Sequence, residues 1–473
     1  MSENKISENL LEDVNVGIPE EVEKAIIGLS ETNNIKELRS TLEAMNPADA
    51  ASALELLTPE QQVTVFLTLP KDIGAEIFTY VDSDIRVRLV QHIAAPGTTD
   101  KIRQDFINMF EDLAADDAID VLDELPANLV EELLSRCTKD RREQLNAILK
   151  YPPNSAGSLM TVEYIILPET MTVAGALAQI RRQGKRKETI NYCYAVSAGR
   201  KLSGVLSLKT ILLSDENVLI KDIMTSPVIF AYTHEDQEVV AAKVKKYDLQ
   251  AIPVVDKEER MVGIITGDDI MDVVEKEDTE DFEKMAAMEP AKDEYMKSGI
   301  FVLARNRIKW LIILMVSSTL TGLIITRFNN LLASQVILAS FIPMLMDTGG
   351  NCGAQVSTLM IRGMAVGDIE PGNWAMVVWK ELRVALAVGA ALCVANIIRM
   401  LIFVKELSLP VVLVVNVTLI IIVVFAKIIG CLLPMAAKQL KFDPALMASP
   451  MITTIVDAFA LFIYFAVAQR ILV

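Results

Sequence analysis

Five long apolar stretches occupy most of the chain beyond residue 310, and they limit what it can fold into. Each is about long enough to cross a bilayer as a helix, and their ranges are 310–326, 332–360, 374–404, 408–437 and 446–472. Backbone polar groups facing lipid must be satisfied within their own segment, so helices are the expected structure. We therefore expect a membrane domain of about five helices over residues 305–473, surrounded by lipid.

Charge divides the chain just before this region. Residues 301–473 contain 13 Lys and Arg against 7 Asp and Glu, whereas the whole chain has a net charge of −17, so residues 1–300 carry −23. An acidic soluble part of this kind repels nucleic acid and attracts cations. We expect divalent cations as partners, and no nucleic acid.

The distribution of Lys and Arg around the apolar stretches predicts their orientation. If the N-terminus is cytosolic, eight basic residues flank the stretches on the inner side and four on the outer side. Basic residues collect on the cytosolic side of a membrane protein. No basic segment followed by an apolar core precedes residue 20, so no signal peptide is expected. We therefore predict a multi-pass protein of the cytoplasmic membrane with a cytosolic N-terminus.

Residues 1–150 have the pattern of short amphipathic helices. Thr58 and Gln61, with Pro59 between them, form a capping-box sequence. Leu-Pro pairs recur before further helical segments, which favours a superhelix of helical hairpins. The five cysteines are scattered and only two histidines accompany them, so neither a zinc site nor a disulfide framework is expected.

Between residues 151 and 278 two stretches repeat the same order of short β-branched runs and helices. Met160-Thr161 corresponds to Met224-Thr225, and the turn glycine Gly204 corresponds to Gly263. The order, the spacing and the glycines resemble a tandem pair of CBS domains, which are β-α-β-β-α regulatory modules. The resemblance implies a first domain over 151–216 and a second over 217–278, followed by a charged connecting or plug helix over 279–304.

CBS pairs often bind adenosine nucleotides through an acid that follows a Ser or Thr by three residues. The second repeat has Thr266 and Asp269, but the first repeat has Ser207 and Thr210 and lacks the acid. ATP binding is left open by this pattern and is not supported by it.

Two polar features interrupt the apolar stretches. The first is Asp457, which follows Thr453 and Thr454 near the middle of the last stretch. An unpaired carboxylate at mid-bilayer costs about 2.5–3.5 kcal/mol even on insertion scales. Its partner is either a buried basic residue such as Lys427 or a passing cation, and we favour the cation.

The second feature is the segment PMLMDTGGNCGAQ, residues 343–355. Pro343 and the glycines at 349, 350 and 353 are expected to interrupt a helix around Asp347, Asn351 and Gln355. Such a break is tolerated only where it faces protein or water, which indicates an aqueous pathway. Close packing of helices is the alternative.

The whole chain resembles the MgtE family of bacterial magnesium transporters. The resemblance rests on PxLxxTGGNxGxQ at 343–355 and on DPALxxxPxxTxxxD at residues 443–457. It implies a multidomain membrane protein with an all-α superhelical N domain, α/β tandem CBS domains, a plug helix and a five-span α-helical membrane domain. It also implies a homodimer whose pore is lined by the second and fifth spans. The implied pore and ion-selectivity residues are Asp457, Asn351, Gly350, Thr454 and Asp347.

Asp347 and Ala354 depart from the family, which often has Gly and Asn at these positions. An added acid strengthens cation attraction, and a lost amide changes how a hydrated ion is held. Mg²⁺ prefers oxygen ligands and keeps its water, so carboxylate and carbonyl oxygens suit it.

Acidic residues of the soluble part are predicted to form a Mg²⁺ sensor. We expect cytosolic Mg²⁺ to bridge them, to clamp the N domain and the CBS pair onto the plug helix, and so to close the pore; without Mg²⁺ the like charges repel. Lys245 weakens one of these clusters. The resemblance implies as metal ligands, besides Asp457, the residues Asp116, Asp120, Asp236, Glu238, Asp248, Asp269, Asp272, Glu277, Glu280 and Asp281.

The sequence thus predicts a Mg²⁺-selective, channel-like transporter that is gated by cytosolic Mg²⁺ and is not an enzyme. No HExxH motif and no Walker P-loop occurs in the chain. Alternatives are a CBS-regulated membrane sensor, a transporter for Mn²⁺ or Co²⁺, and an anion channel, which the acidic pore disfavours.

Overall fold

The structure is a computed structural model that describes residues 18–95, 97–291, 295, 298–404, 408–447 and 449–472. The chain divides into two compact units, residues 1–274 and 275–473. Each unit is described by itself. The division lies within a helix, Gly267–Met285, that also contains the predicted boundary at residue 278.

Short helices form the first part of the N-terminal unit, as predicted. Thr58 donates its backbone N–H to the Gln61 side chain at 3.2 Å, and Pro59 occupies the first turn, so the predicted helix start is confirmed. Among the described residues before 150 the helices are α1 (Glu20–Glu31), α2 (Ile35–Glu43), α3 (Pro47–Glu55), α4 (Pro59–Phe66), α5 (Lys71–Tyr80), α6 (Ser83–Ala94), α7 (Asp100–Asp112), α8 (Ala115–Glu124), α9 (Ala127–Arg136) and α10 (Lys139–Ile148).

These helices stack as a superhelix around one apolar core. Helix α2 contacts α4, α3 contacts α5, α4 contacts α6, α5 contacts α7, and α8 contacts α10. The core residues include Leu54, Phe78 and Phe110, all fully buried. Contact with the second helix along the chain, as well as with the next, is typical of stacked helical hairpins.

The two repeats that follow have the predicted β-α-β-β-α order. The first consists of β1 (Ile166–Pro168), α12 (Val173–Gln183), β2 (Tyr192–Val196), β3 (Leu202–Ser207) and α13 (Leu208–Leu213), with α11 (Ala156–Leu159) before it and α14 (Ile220–Ile223) after it. The second consists of β4 (Ala231–Tyr232), α15 (Gln237–Tyr247), β5 (Ala251–Val255), β6 (Met261–Thr266) and α16 (Gly267–Met285). In each sheet the first strand is parallel to the second, which is antiparallel to the third.

Each repeat completes the other, which explains the sequence features that they share. Met160 covers Gly263, and Met224 covers Gly204. A methyl group added at either glycine would lie within 2.5 Å of the methionine sulfur. These two positions therefore need glycine for a close approach, and not for an unusual backbone angle.

The predicted connecting helix over residues 279–304 is not continuous among the described residues. Helix α16 extends to Met285, and α17 begins at Ile300. The described residues between them are turns and irregular backbone. The helix-forming composition there is overridden locally, because propensity is only a weak determinant of structure.

Long helices form the C-terminal unit. They are α17 (Ile300–Arg327), α18 (Asn329–Ser334), α19 (Ile342–Ala365), α20 (Trp374–Phe403), α21 (Leu409–Gln439) and α22 (Ser449–Leu472). In the part of the chain that the structure describes, the helices long and apolar enough to cross a membrane are α17, α20, α21 and α22. The candidate spans of α20 and α22 each include a short 3-10 turn that precedes the helix.

Helix α19 decides the number of spans. At about 1.5 Å per residue its 24 residues extend about 36 Å, which is enough to cross a bilayer, but its Asp, Asn, Gln and Gly residues make it less apolar than the other four. The five-span count thus remains a prediction. Helix α21 is the centre of the unit and packs against α19, α20 and α22. The five cysteines of the chain are free and buried.

Candidate functional site

Helix α19 contains the glycine-rich segment and is continuous. The expected interruption near Asp347 is therefore wrong, and the alternative of close helix packing is what the structure has. Pro343 lies in the first turn, where its missing N–H costs no hydrogen bond. Neighbouring side chains leave no space for a Cβ at these glycines. The close packing of helices that results offsets the low helix propensity of glycine, so the helix continues through them.

The glycines set the contact of α19 with α21 and α22. A methyl group at Gly349 would lie 2.7 Å from Ile422, and one at Gly350 would lie 2.8 Å from Thr453. On α21, a methyl group at Gly430 would lie 2.6 Å from the Gly353 carbonyl oxygen. Small residues at such contacts let helix backbones approach closely within a membrane. The glycines of this motif therefore bring α19 against α22, the helix of Asp457.

Asp457 is half-buried on α22, and its Oδ1 atom is buried without a hydrogen-bond partner among the described residues. Asp347 on α19 lies close enough for the two carboxylates to repel each other. Thr454 is engaged with its own helix, since its hydroxyl donates to the Pro450 carbonyl at 2.9 Å. Asp347 on α19 and Asp457 on α22 thus place two like charges within electrostatic range of each other.

Lys427 does not neutralise Asp457 in this structure. Its Nζ lies 3.4 Å from Oε2 of Glu381, and the two side chains are only 7% and 13% exposed. This buried ion pair joins α21 to α20. The alternative in which Lys427 pairs with Asp457 is thus not what the structure has, and Glu381 is a residue that the sequence reasoning missed.

A polar stripe extends from Asp347 along α19. Asp347, Asn351 and Gln355 are four residues apart and so share one face of the helix. Asn351 and Gln355 are exposed in the single chain, whereas Gly350 is buried against Thr453. We call the face formed by Asp347, Asn351 and Gln355 the polar stripe. Polar residues in membrane helices almost always face a bundle interior or a water-filled cavity.

In the N-terminal unit, acids from two separate parts of the sequence come together. Helix α8 carries Asp116, Asp117 and Asp120, and α16 begins with Asp268 and Asp269. We call these five residues the acidic cluster. Asp116, Asp117 and Asp120 all interact electrostatically with Asp269. The structure therefore brings together three of the predicted ligands, Asp116, Asp120 and Asp269.

The acidic cluster is electrostatically unfavourable without a cation. Burial and then repulsion from Asp269 raise the pKa of Asp116 well above its usual value, and its Oδ1 atom is buried without a hydrogen-bond partner among the described residues. Burial and Asp269 raise the pKa of Asp117 to about 6. Burial raises the pKa of Asp269 to about 6, although hydrogen bonds from Thr266 act in the opposite direction. A nearby cation favours the charged form of each group.

Glu188 of the first repeat also faces this cluster. Partial loss of water and repulsion from Asp117 and Asp269 raise its pKa to about 7. Glu188 was not among the predicted ligands, because it lies in an irregular segment after α12, where no periodicity or motif distinguishes it. A single acid of this kind is recognised only once the fold brings it to other acids.

The predicted ligands of the second repeat lie at opposite ends of one helix. Asp236 caps the start of α15 by accepting the Glu238 backbone N–H at 2.9 Å. Asp248 ends the same helix in a left-handed conformation. Eleven residues at about 1.5 Å each separate the two ends by about 16 Å. Within one chain, therefore, Asp236 and Glu238 do not share a site with Asp248.

The remaining predicted ligands lie along α16. Asp272 is exposed, and Glu277, Glu280 and Asp281 follow on later turns. Glu280 is ion-paired with Lys284, whose Nζ also lies 2.6 Å from Oδ2 of Asp443. Lys284, which was not among the predicted site residues, supplies positive charge between these two carboxylates.

The donors fit Mg²⁺ in type but do not form a complete coordination sphere. Among the described residues, no group of three or more His, Cys, Asp and Glu side chains has an arrangement that could hold a metal ion. The buried, unpartnered oxygen of Asp116 and the purely carboxylate composition of the cluster agree with a hard, hydrated cation. The metal-ligand residues therefore remain predictions.

Comparison with known proteins gives the family. A model described as a divalent cation transporter, MgtE, matches residues 342–467. Models of the MgtE intracellular N domain and of the CBS domain match residues 45–154 and 220–276.

Similar whole proteins extend this match to nearly the entire chain. The magnesium transporter MgtE of Thermus thermophilus is 34% identical over 453 residues, which cover 95% of this chain and 99% of that protein. The magnesium transporter MgtE of Bacillus subtilis is 29% identical over 94% of this chain and 96% of its own length. A crystal structure of the cytosolic domain of the Mg²⁺ channel MgtE in complex with ATP is 32% identical, with a TM-score of 0.47, over 52% of this chain and 99% of that one. The chain therefore belongs to the MgtE family of divalent cation transporters, which confirms the family predicted from its motifs.

Proposed function

We propose that this chain is a Mg²⁺-selective, channel-like transporter that takes up magnesium across the cytoplasmic membrane and is closed by cytosolic Mg²⁺. Its family transports ions and does not catalyse a reaction. The observation that carries the proposal is the unpartnered Asp457 oxygen, buried in an apolar helix beside Asp347 and the polar stripe. A hydrated cation supplies the charge that these oxygens otherwise lack.

The chemistry of the site supports Mg²⁺ as the transported ion. Mg²⁺ dehydrates reluctantly and is recognised through its waters by oxygen acceptors, and the site offers carboxylates, an amide and hydroxyls. Inward movement needs no hydrolysis, because the membrane potential contributes about 2.3 kcal/mol per elementary charge per 100 mV, and twice this for a divalent ion. Other divalent cations, Mn²⁺ and Co²⁺, are the alternative substrates.

A homodimer with five spans per chain and a cytosolic N-terminus is part of the proposal. Within one chain, α17 has no buried side chain among the described residues, and Asn351 of the polar stripe is exposed. A second copy that faces the stripe encloses a polar pathway between two Asp457 carboxylates. Isologous contacts of this kind are typical of twofold dimers.

Uptake by proteoliposomes tests the proposed transport. With a negative interior we expect the full-length protein to admit Mg²⁺ faster than Mn²⁺, Co²⁺ or Ca²⁺, and protein-free liposomes to admit none. Raising the internal Mg²⁺ concentration should suppress the uptake. If no divalent cation enters, the alternative of a CBS-regulated membrane sensor is favoured. A faster rate for Mn²⁺ or Co²⁺ contradicts the selectivity.

For the gate, we propose that Mg²⁺ relieves the repulsion in the acidic cluster and holds the N domain on the CBS pair. Helix α16 carries this change, because it is continuous from Asp269 to Lys284. In the C-terminal unit the Lys284–Asp443 pair joins α16 to the segment before α22, and Asp278 lies 3.2 Å from Arg362 near the end of α19. Helix α16 is thus tied to both helices that carry the pore residues.

Limited proteolysis in a Mg²⁺ titration tests the clamp. At 100 times its Kd, Mg²⁺ adds about 2.7 kcal/mol to the closed state, so cleavage at the exposed sites should slow about 100-fold. An Asp116→Asn, Asp269→Asn double variant loses two of the predicted ligands and the repulsion between them, and its cleavage should depend much less on Mg²⁺ than that of wild type. Asp49→Asn, an exposed acid of α3, is the control and should behave as wild type. Wild-type cleavage that Mg²⁺ does not change contradicts the clamp.

ATP binding is not part of the proposal. Asp269, the acid that would hold a ribose, accepts hydrogen bonds from the backbone and hydroxyl of Thr266. It also belongs to the acidic cluster, so it is already engaged in the conformation described.

A further inference from the structure

Helix α8, which carries three acids of the cluster, has no N-cap of its own. Its N-cap residue is Ala114, whose methyl side chain cannot accept a hydrogen bond from a backbone N–H. Glu163, 48 positions further along the chain, accepts the Ala115 N–H through Oε2 at 2.9 Å. A carboxylate at a helix N-terminus satisfies an unpaired donor and interacts favourably with the helix dipole. The cap of α8 thus comes from the first CBS repeat.

Arg141 of α10 completes this contact from the side of the N domain. Its Nη1 lies 3.4 Å from Oε1 of Glu163, and its Nη2 donates to the carbonyls of Leu113 and Ala114 at 2.6 and 3.2 Å. The Arg141 side chain is only 8% exposed. Glu163 and Arg141 together therefore hold both the N–H and the C=O groups at the start of α8.

The segment that presents Glu163 is fixed to the second repeat. The Thr161 hydroxyl donates to Oε2 of Glu163 at 2.8 Å, and the backbone of Thr161 makes both of its hydrogen bonds with Ile264, at 2.9 and 3.0 Å. Ile264 belongs to β6, which ends at Thr266, and Asp269 follows three residues later in the first turn of α16. One strand therefore positions both the cap of α8 and the acid that faces Asp116.

We infer that Glu163 is a positioning residue of the gate. By capping α8 of the N domain from the first CBS repeat, Glu163 sets Asp116 and Asp117 opposite Asp269. The inference rests on the proposed clamp. A serine at position 114 would cap α8 equally well but would leave it independent of the CBS pair. Because the contacts of Glu163 with Ala115 and Arg141 exist only while the N domain is docked, they favour the docked state that Mg²⁺ stabilises.

A Mg²⁺ titration of the full-length protein in detergent micelles tests this inference. We expect Glu163→Gln to need about three to ten times more Mg²⁺ than wild type for half-maximal protection from protease, since the loss of a cap and its charge weakens docking by this factor. Hydrogen exchange of the Ala115 amide should become faster in Mg²⁺. Thermal unfolding in EDTA should not change, because the undocked domain lacks the cap already. Glu132→Gln, whose ion pair with Arg136 lies within α9, is the control and should keep the wild-type midpoint.

A second variant separates capping from tethering. Adding Ala114→Ser to Glu163→Gln should restore slow exchange at the start of α8 but leave the Mg²⁺ midpoint raised. A wild-type midpoint in Glu163→Gln, or its recovery by Ala114→Ser, overturns the inference while the clamp stands. A loss of stability in EDTA with an unchanged midpoint assigns Glu163 a structural role and also overturns it. If wild type itself has no Mg²⁺ transition, it is the proposed clamp that fails.

Discussion

Asp457→Asn is expected to reduce Mg²⁺ uptake by a hundredfold or more without disturbing the fold. Asparagine keeps the size of the side chain and removes its charge. A unit charge pair about 4 Å apart interacts with about 4 kcal/mol at an effective dielectric constant of about 20, and a divalent ion gains more. Removing the charge at this position therefore removes most of the attraction that brings the ion into the apolar part of the pathway.

The same substitution should leave the stability of the protein unchanged or slightly higher. The Asp457 carboxylate makes no hydrogen bond through Oδ1 to any described residue, so no partner is left unsatisfied when it changes. Uptake into proteoliposomes at fixed internal Mg²⁺, together with thermal unfolding in detergent, measures both effects. Asp368→Asn is the matched control, since Asp368 is an exposed acid of the same unit that lies outside the helices.

Asp347→Asn distinguishes the contribution of the Asp347 carboxylate to uptake from that of Asp457. Asp347 repels Asp457 and lies on the polar stripe, so its loss should lower uptake less than the loss of Asp457. Normal uptake by a folded Asp457→Asn protein contradicts the proposed ion site. Equal losses in the two variants would instead assign the ion to both acids jointly.

Much of the soluble fold was predictable from the sequence because its signals are local or repeated. The Thr58 and Gln61 pair marks the start of α4, and the repeated Met-Thr and Gly positions mark equivalent points of the two CBS repeats. In the structure these repeated residues contact each other across the repeats. Their correspondence in sequence thus reflects one packing arrangement used twice.

The glycine-rich helix was the main error, and its cause is physical. Glycine is unfavourable within a helix by about 1 kcal/mol relative to alanine, so three glycines and a proline predict a break. In α19 this cost is offset by the close contact of Gly350 with Thr453 and of Gly353 with Gly430. The glycines of α19 allow such packing, but its sequence alone does not show which residues of α21 and α22 occupy the space beside them.

The candidate sites were predicted only in part, because some of their residues depend on partners that are distant in the sequence. Asp457 was evident because an acid is conspicuous among apolar residues. Glu163, Glu188 and Glu381 were not, because each acts through a partner far away in sequence: the Ala115 amide, the acids on α8, and Lys427. Their identification needed the fold.

Lys427→Met is expected to destabilise the protein by about 3–5 kcal/mol, because it leaves Glu381 charged and without its partner between apolar helices. The pair is nearly buried, with side-chain exposures of 7% and 13%. Methionine has a similar volume, so the loss is mainly electrostatic. The folded fraction recovered after heating in detergent, followed by size-exclusion chromatography, measures it.

The double variants identify the partner of Lys427. Replacing both charges, in Lys427→Met with Glu381→Leu, should restore most of the stability, since buried ion pairs are often replaced by apolar residues at little cost. Adding Asp457→Asn to Lys427→Met should restore nothing, because the two side chains do not interact and their effects then add. If Asp457→Asn rescues Lys427→Met and Glu381→Leu does not, Lys427 is the partner of Asp457 in the membrane. In that case Lys427 neutralises the Asp457 carboxylate, and the unpartnered Asp457 oxygen no longer supports a cation pathway.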